Sequence, residues 1–388
     1  MAEMLRKIAV VTGTRAEYGI LKPLLEKIRA SNALELQLAV TGMHLLVKYG
    51  LTINEIKKDG FKIDAEVRMY TNNEADSSYY GESLSRGISG FTEALLRMKS
   101  AIVVVTGDRL EGLGATLAAA TLRIPVAHIH GGDKTDSGHI DESIRHSIPR
   151  FAQIHFPATQ ESADRLIKMG EEPWRIHKVG APGLDSVINQ VPVPKQELSE
   201  ELGLNPDEPI ILCIFHSVHL ESETAGVQMR EITGAINNLK IQTVIIYPNN
   251  DAGSQDIIAE LEKYRDSSFI KTLPTLSHLH YISLLKYASV LIGNSSSGII
   301  EAPSLKLPVV NVGSRNMGRE HAENVIFVST VKSEIIKAIK MALYDESFRI
   351  KVQQCSNPYG DGKASERIVK VLSEIEVDKR LMQKKITY

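Results

Sequence analysis

Three short segments combine glycine, hydroxyl and charged residues at the ends of apolar runs. They are T-G-T-R-A-E-Y-G at 12–19, G-D-R-L-E-G at 107–112 and G-N-S-S-S-G-I-I-E at 293–301. Each pattern is typical of a strand end, a turn of small residues and a helix start, where backbone N–H groups attract anions. The third segment lies far along the chain from the other two, which predicts an anion site shared by two lobes.

Side chains in the first and third segments suit a phosphorylated ligand. Arg15 offers a bidentate fork for phosphate or carboxylate, unless it pairs with Glu17. Ser295 and Ser296 precede a predicted helix whose N-terminus can hold a diphosphate, and Glu301, one helical turn on, can accept two ribose hydroxyls. The alternative is an ordinary serine-capped helix. The chain has no G-x-G-x-x-G, which disfavours a dinucleotide cofactor.

Three further polar residues follow predicted strands of the second half. His216 closes the run at 210–215 and either binds phosphate as a cation or is a capping or core histidine. Asn250, within Y-P-N-N-D, either contacts the ligand or shapes a turn. Arg315, in G-S-R, is placed to reach a nucleotide.

Carboxylates of the first half are candidates for proton transfer. Asp108 follows the most apolar strand of this half, where open α/β sheets bind ligands; alternatively, it only caps the next helix. Asp141 and Arg145 are four residues apart on a predicted helix. They form either a surface ion-pair ladder or a carboxylate and a guanidinium projecting into the site.

The sequence H-I-H-G-G-D at 128–133 permits two interpretations. Alternate residues of a strand share a face, so His128 and His130 with a nearby aspartate could bind a metal. No distant carboxylate or cysteine at a familiar metal spacing completes the set. This favours proton transfer by an imidazole, such as that of His130, or by a carboxylate, beside a glycine-rich approach to the ligand, with no metal and no cofactor.

The elements that position these residues alternate between short apolar runs and amphipathic segments, which predicts parallel sheets covered by helices on both faces. The 388 residues suit two such α/β domains. We place them at 1–188 and 195–360, separated by a proline-rich linker, and expect the C-terminal helix within 364–388 to pack on the first domain. The polar segment 71–89 is a candidate mobile loop or lid.

Bulk composition disfavours several classes of protein. The net charge of −2 argues against nucleic-acid binding driven by charge. No apolar run reaches the ~18 residues that span a membrane. The start M-A-E-M-L-R-K does not resemble a signal peptide, and two cysteines cannot form a disulfide framework. We therefore expect a cytoplasmic protein with no membrane or nucleic-acid partner.

Taken together, these motifs resemble the UDP-N-acetylglucosamine 2-epimerase family, from the first strand to about Glu366. The segment T-G-T-R-A-E-Y-G resembles the hydrolysing branch, which makes N-acetylmannosamine or a related sugar for sialic-acid-type synthesis; the other branch typically has T-R-P-E. The resemblance implies a GT-B architecture, two Rossmann-like doubly wound domains with the site in the cleft between them. It also implies a UDP-sugar substrate and a homo-oligomer, a dimer or a tetramer.

The resemblance also implies roles for individual residues. Those that would hold UDP are Arg15, His216, Ser295, Ser296, Glu301 and Arg315. Asp108 and Asp141 match catalytic acids of the family, beside Arg145. Where many members have H-I-E-G-G-E, His130 replaces a catalytic glutamate, and Ile300 stands where arginine is frequent.

The implied reaction is hydrolytic epimerisation through a glycal. A base removes the C2 proton while UDP leaves C1, water then adds at C1, and a proton returns to the opposite face of C2. UDP-N-acetylglucosamine would give N-acetylmannosamine; the alternative substrate is UDP-N,N'-diacetylbacillosamine. Other interpretations are a GT-B glycosyltransferase using a UDP-sugar, a metal-dependent hydrolase using His128 and His130, and a non-catalytic nucleotide-sugar sensor.

Overall fold

The computed structural model describes residues 5–71, 79–134, 140–249 and 251–388. The chain forms two compact units. Of the described residues, the first unit contains those up to Lys134, Ile140–Ser186 and Tyr359–Tyr388, and the second contains Val187–Pro358.

The first unit alternates strands and helices, beginning with a strand. Its strands are β1 (Arg6–Thr12), β2 (Leu34–Thr41), β3 (Ala65–Val67), β4 (Ile102–Thr106), β5 (Val126–Ile129) and β6 (Ile154–Phe156). Its helices are α1 (Arg15–Arg29), α2 (Ile53–Lys58), α3 (Tyr79–Met98), α4 (Leu110–Thr121), α5 (Ile140–Phe151), α6 (Gln160–Lys168) and α7 (Gly183–Asn189). The last helix, α7, begins in the first unit and ends in the second. Short 3₁₀ helices occupy Gly42–Leu45, Val47–Tyr49 and Pro173–Arg175.

The second unit repeats this alternation, and the chain then returns to the first. The second unit's strands are β7 (Ile211–Ile214), β8 (Thr243–Ile246), β9 (Ile270–Leu273), β10 (Val290–Gly293), β11 (Val309–Val312) and β12 (Val325–Val328). Its helices are α8 (Lys195–Leu202), α9 (Ala225–Leu239), α10 (Ser254–Glu262), α11 (His278–Tyr287), α12 (Ser297–Ile300), α13 (Lys332–Tyr344) and α14 (Glu346–Gln354), with 3₁₀ helices at His219–Thr224 and Ala302–Leu305. The returning segment adds α15 (Ala364–Glu374) and α16 (Lys379–Met382) to the first unit.

Each unit is built on a parallel sheet of six strands. The strand order is β3-β2-β1-β4-β5-β6 in the first unit and β12-β11-β10-β7-β8-β9 in the second. The direction of winding reverses between β1 and β4 and between β7 and β10. The carboxyl ends of these strands are therefore the edges at which open α/β sheets bind ligands.

The predicted parallel sheets are confirmed, with two additions. Strands β3 and β6 went unpredicted because each has only three residues, too few to show a period. The candidate loop at 71–89 was partly wrong, since α3 begins at Tyr79; residues 72–78 lie outside the described part.

Glycines within α3 allow close packing, because a Cβ on Gly90 would lie 2.8 Å from Val67 Cγ1.

The returning C-terminal segment contributes to the core of the first unit. Ile368 and Leu372 of α15 are fully buried in the same apolar cluster as Leu21 and Leu24 of α1. Arg6 at the start of β1 donates to the Leu372 carbonyl at 2.6 Å, which links α15 to the sheet. In the described ranges, no helix has the length and apolar content required to cross a bilayer.

Candidate active site

An ion pair joins the end of β4 to helix α5 in the first unit. The Arg145 guanidinium donates to the Oδ2 oxygen of Asp108. Asp108 follows Gly107, whose φ of +68° turns the chain sharply after the strand. Asp141, half-buried in the first turn of α5, precedes Arg145 by one helical turn. The structure thus brings the Asp108 carboxylate and the Arg145 guanidinium together at the carboxyl edge of this sheet.

His128 supports the turn that carries Asp108. Its Nε2 lies 2.7 Å from the Gly107 carbonyl oxygen, so Nε2 carries the proton. Burial lowers the pKa of His128 to about 3, and the ring is therefore neutral at physiological pH. Strand β5 ends at Ile129, so strand alternation does not extend to His130 and the two rings are not a same-face pair. Within the described ranges, no group of three or more histidine, cysteine or acidic side chains could hold a metal.

His130 lies in the turn that follows β5. Its φ of +61° is unusual for a residue with a side chain. The ring Nδ1 lies 3.5 Å from Asp133 Oδ2, and both side chains are mostly buried. His130 therefore has a carboxylate partner of its own, separate from Asp108.

A second pair of carboxylates, those of Glu17 and Glu111, lies next to Gly13 after β1, and the sequence did not reveal it. Glu111 is 1% exposed, lies beside Arg109 and fills the space above two glycines. A Cβ on Gly13 would lie 2.8 Å from Glu111 Cγ, and one on Gly42 would lie 2.6 Å from its Oε1. The repeated T-G at the ends of β1 and β2 was the available signal, because the two glycines leave room for a side chain from the start of helix α4.

Glu17 completes this buried cluster. Its Oε2 accepts a hydrogen bond from the Gly13 N–H at 2.6 Å. Burial, with a contribution from the charge of Glu111, raises the pKa of Glu17 to about 7. One interpretation of the sequence paired Arg15 with Glu17, but the structure does not show this pair. Its Nε lies 3.1 Å from Glu55, and the side chain is 47% exposed.

In the second unit, a buried asparagine connects His216 to Arg315. Asn294 Oδ1 accepts from the His216 N–H at 2.7 Å, and Asn294 Nδ2 donates to the His216 carbonyl at 2.8 Å. The Asn294 carbonyl accepts from Arg315 NH1 at 2.9 Å. A single residue at the end of β10 thus fixes the backbone after β7 and the guanidinium after β11. The sequence pattern identified the adjacent serines as site residues but did not identify Asn294.

His216 is buried and neutral, so of the two alternatives that the sequence left open, the phosphate-binding cation is disfavoured. Burial, with the nearby charge of Arg315, lowers the pKa of His216 to about 3. The Asn249 N–H donates to its Nδ1 at 3.1 Å, so the ring proton resides on Nε2. A neutral Nε2–H can still donate to a phosphate oxygen. Asn250, the next residue, lies outside the described part of the chain.

The serine-rich turn leads into a helix of only four residues, Ser297–Ile300. Ser295 and Ser296 precede it, and Glu301 terminates it instead of lying within it. The Tyr281 hydroxyl is hydrogen-bonded to Ser297 Oγ and lies 3.3 Å from Glu301 Oε2. Burial raises the pKa of Glu301. This edge of the second sheet therefore presents hydroxyls, a buried carboxyl group and the Arg315 guanidinium together.

Comparisons with known proteins agree on one family. Residues 26–373 match the model of a family described as UDP-N-acetylglucosamine 2-epimerase. UDP-N,N'-diacetylbacillosamine 2-epimerase (hydrolyzing) of Legionella pneumophila is 38% identical over 98% of this chain and 99% of the relative. UDP-N-acetylglucosamine 2-epimerase of Neisseria meningitidis serogroup B is 35% identical over 87% of this chain and 88% of the relative.

A solved structure shares the fold. UDP-GlcNAc 2-epimerase from Neisseria meningitidis bound to UDP-GlcNAc superposes with a TM-score of 0.81, covering 94% of this chain and 99% of that one, at 20% identity. The predicted fold class, two Rossmann-like domains of the GT-B-like type, is confirmed by this similarity and by the two parallel sheets.

Proposed function

Because this chain belongs to the UDP-N-acetylglucosamine 2-epimerase family, we propose that it hydrolyses a UDP-sugar with inversion at C2. The first candidate reaction converts UDP-N-acetylglucosamine and water to N-acetylmannosamine and UDP. The second acts in the same way on UDP-N,N'-diacetylbacillosamine. The second is favoured by the relative from Legionella pneumophila, which matches almost the whole chain at 38% identity.

The Asp108–Arg145 pair is the observation that carries the proposal. Epimerisation at C2 needs one group to remove a proton and another to return it on the opposite face. Arg145 contacts Asp108 Oδ2 and so holds the carboxylate in place, and we assign its Oδ1 to the sugar. Asp141 and His130 are the candidates for the second transfer.

Departure of UDP requires stabilisation of the charge that develops on the diphosphate. We assign this role to the hydroxyls of Ser295 and Ser296, the Arg315 guanidinium and the Nε2–H of His216. Glu301 would accept the ribose hydroxyls. Arg15 and Asn250 are further proposed contacts, on the strength of the sequence motifs alone.

Each proposed step is balanced. In the first, the C2–H electron pair forms the C1=C2 bond as the C1–O pair leaves with UDP, and the proton passes to the enzyme. In the second, water adds its hydroxide to C1 while a second protein group delivers a proton to C2 on the opposite face. The remaining proton of that water restores the second group, and the first group releases the C2 proton to solvent, so both groups end as they began and neither step calls for a redox change. Assembly as a dimer or tetramer and a cytoplasmic location remain part of the proposal, and light scattering tests the first.

The experiment is NMR of the purified protein with each UDP-sugar in D₂O, with EDTA present. We expect release of UDP together with a 2-epimerised free sugar carrying deuterium at C2. Asp108→Asn is the matched control and should release neither. Binding of UDP-sugar without release would indicate a sensor, and turnover that stops with EDTA would indicate a metal-dependent hydrolase. If neither sugar gives UDP unless an acceptor is added, the protein is a glycosyltransferase and the proposal is wrong.

A further inference from the structure

The turn after β5 holds His130 in a conformation that its own side chain disfavours. A left-handed backbone is disfavoured at a non-glycine residue because the Cβ comes too close to the following carbonyl oxygen. The His130 N–H donates to the Phe156 carbonyl at 3.1 Å, which anchors the turn to β6. Maintaining such a conformation is typical of functional positions. Here it brings the imidazole Nδ1 to 3.5 Å from Asp133 Oδ2.

Asp133 is itself fixed by helix α6. Its Oδ1 accepts a hydrogen bond from Ser162 Oγ at 2.7 Å. Ser162 is buried, and its hydroxyl lies 3.1 Å from Thr159 Oγ1, the residue that caps α6. A Cβ on Gly132 would lie 2.3 Å from the Ser162 carbonyl oxygen, so the turn is packed directly on this helix. The Asp133 carboxylate is therefore oriented before any substrate binds.

The arrangement determines which ring nitrogen of His130 can exchange a proton. A carboxylate facing Nδ1 favours the form protonated at Nδ1 and leaves Nε2 as the proton acceptor. Among the described residues, no hydrogen-bond partner occupies His130 Nε2. His128 is the opposite case, because its Nε2 is engaged by Gly107 and its Nδ1 is buried. Of the two histidines, only His130 has both an orienting carboxylate and an available nitrogen.

We propose that Asp133, held by Ser162, is the positioning residue for His130, and that His130 Nε2 exchanges one of the two C2 protons with the sugar. The second part rests on the proposed function; the first stands on geometry alone. In the proposed step, Nε2 either accepts the C2 proton as the C1=C2 bond forms or delivers a proton to C2 as water adds at C1. Asp133 keeps its charge throughout and balances the imidazolium.

The positioning role is tested without turnover, by NMR of the protein with ¹⁵N-labelled histidine. The His130 ring signals are identified by their loss in His130→Ala. We expect the neutral ring to carry its proton on Nδ1 in the wild type, and to lose this preference in Asp133→Asn. A wild-type ring protonated at Nε2 would overturn the inference whatever the protein catalyses.

The catalytic consequence is tested by a double-mutant cycle on the UDP-sugar that the wild type turns over. Asp133→Asn should lower kcat by about 10²-fold, within the range of general acid–base effects, with little change in UDP affinity. In the His130→Ala background, the same substitution should cost less than about 3-fold, since Asp133 acts through His130. Asp164→Asn, on α6 but exposed, is the matched control and should have no effect. Equal losses from Asp133→Asn in both backgrounds would contradict the inference.

Discussion

Arg145 donates to Asp108 across 37 residues of sequence, and this contact joins the carboxyl end of β4 to helix α5. The guanidinium is nearly buried, whereas the carboxylate is partly exposed. The pair therefore has one partner fixed in the protein and one facing outwards. This asymmetry suits a carboxylate that must meet a substrate in a set orientation.

Replacing either partner should abolish most turnover but leave nucleotide affinity largely intact. We expect Asp108→Asn to lower kcat by about 10²–10⁴-fold, because the amide cannot accept the C2 proton. Arg145→Gln should also lower kcat, since Asp108 loses its anchor. UDP affinity, measured by calorimetry, should change by less than about 3-fold in both variants.

His146→Gln is the matched control for α5. His146 pairs with Glu142 at 3.0 Å on the same helix but does not contact Asp108. Its substitution should leave kcat within a factor of about 2. A loss as large as that of Arg145→Gln would show that the helix, and not the ion pair, determines activity.

The contacts of Asn294 predict that its replacement weakens UDP binding and does not act on the chemical step. In Asn294→Asp, the carboxylate can still accept from the His216 N–H but can no longer donate to the His216 carbonyl. One unmade buried hydrogen bond costs about 1–3 kcal/mol, so UDP affinity should fall roughly 10-fold or more, as measured by calorimetry.

Asn324→Asp separates this effect from general destabilisation. Asn324 is also fully buried in the second unit and donates to the Leu307 carbonyl at 2.9 Å, so its variant loses a comparable hydrogen bond. It contacts neither His216 nor Arg315 through its side chain. If both variants weaken UDP binding equally, Asn294 has no specific part in shaping the nucleotide site.

These residues show what the sequence could and could not predict. Strands such as β4 and β10 were recognisable because they are short apolar runs bounded by turn residues, and the fold class followed from their alternation with helices. Asp108 and Ser295 could be placed at strand ends for the same local reason. The partner of Arg145 could not be identified, because helical spacing indicated Asp141, whereas the fold supplies Asp108 from the turn after β4.

Protonation states could not be predicted from the sequence either. For His216, the sequence left open both a phosphate-binding cation and a capping or core histidine. Its neutral state results from burial and from the Asn249 N–H, both of which depend on the packed structure. Glu17 and Glu111 likewise could not be placed together from the sequence, since they lie on α1 and α4 and only the packed structure brings both to Gly13.

The buried carboxylate of Glu171 predicts a large loss of stability in the first unit. It is approached by Arg150 at 2.6 Å, His155 at 3.0 Å and Lys384 at 2.6 Å. Glu171→Gln would leave these donors without a counter-charge, and we expect a loss of about 3 kcal/mol or more. Trp174, the only tryptophan in the chain, lies nearby and reports unfolding of this unit by fluorescence in urea.

An exposed glutamate provides the comparison for Glu171. Glu161 lies on the solvent side of α6, and Glu161→Gln should shift the urea midpoint very little. Equal midpoints for the two variants would mean that the buried cluster contributes nothing to the stability of the unit.

The buried position of Glu17 predicts that its replacement by glutamine stabilises the protein, and that the gain depends on pH. Its pKa is raised from 4.5 to about 7 by burial, so the folded protein binds this proton more tightly than the unfolded chain. The stability that Glu17 contributes is therefore present below pH 4.5 and is lost as the pH rises through 7.

Glu17→Gln keeps an acceptor for the Gly13 N–H but never ionises. It should be more stable than the wild type by on the order of 3 kcal/mol at pH 8, and by much less at pH 5. Trp174 fluorescence in urea at the two pH values measures this difference. Glu26→Gln, exposed on the same helix, should behave like the wild type at both. A gain for Glu17→Gln that does not depend on pH would show that burial leaves the ionised carboxylate at no disadvantage.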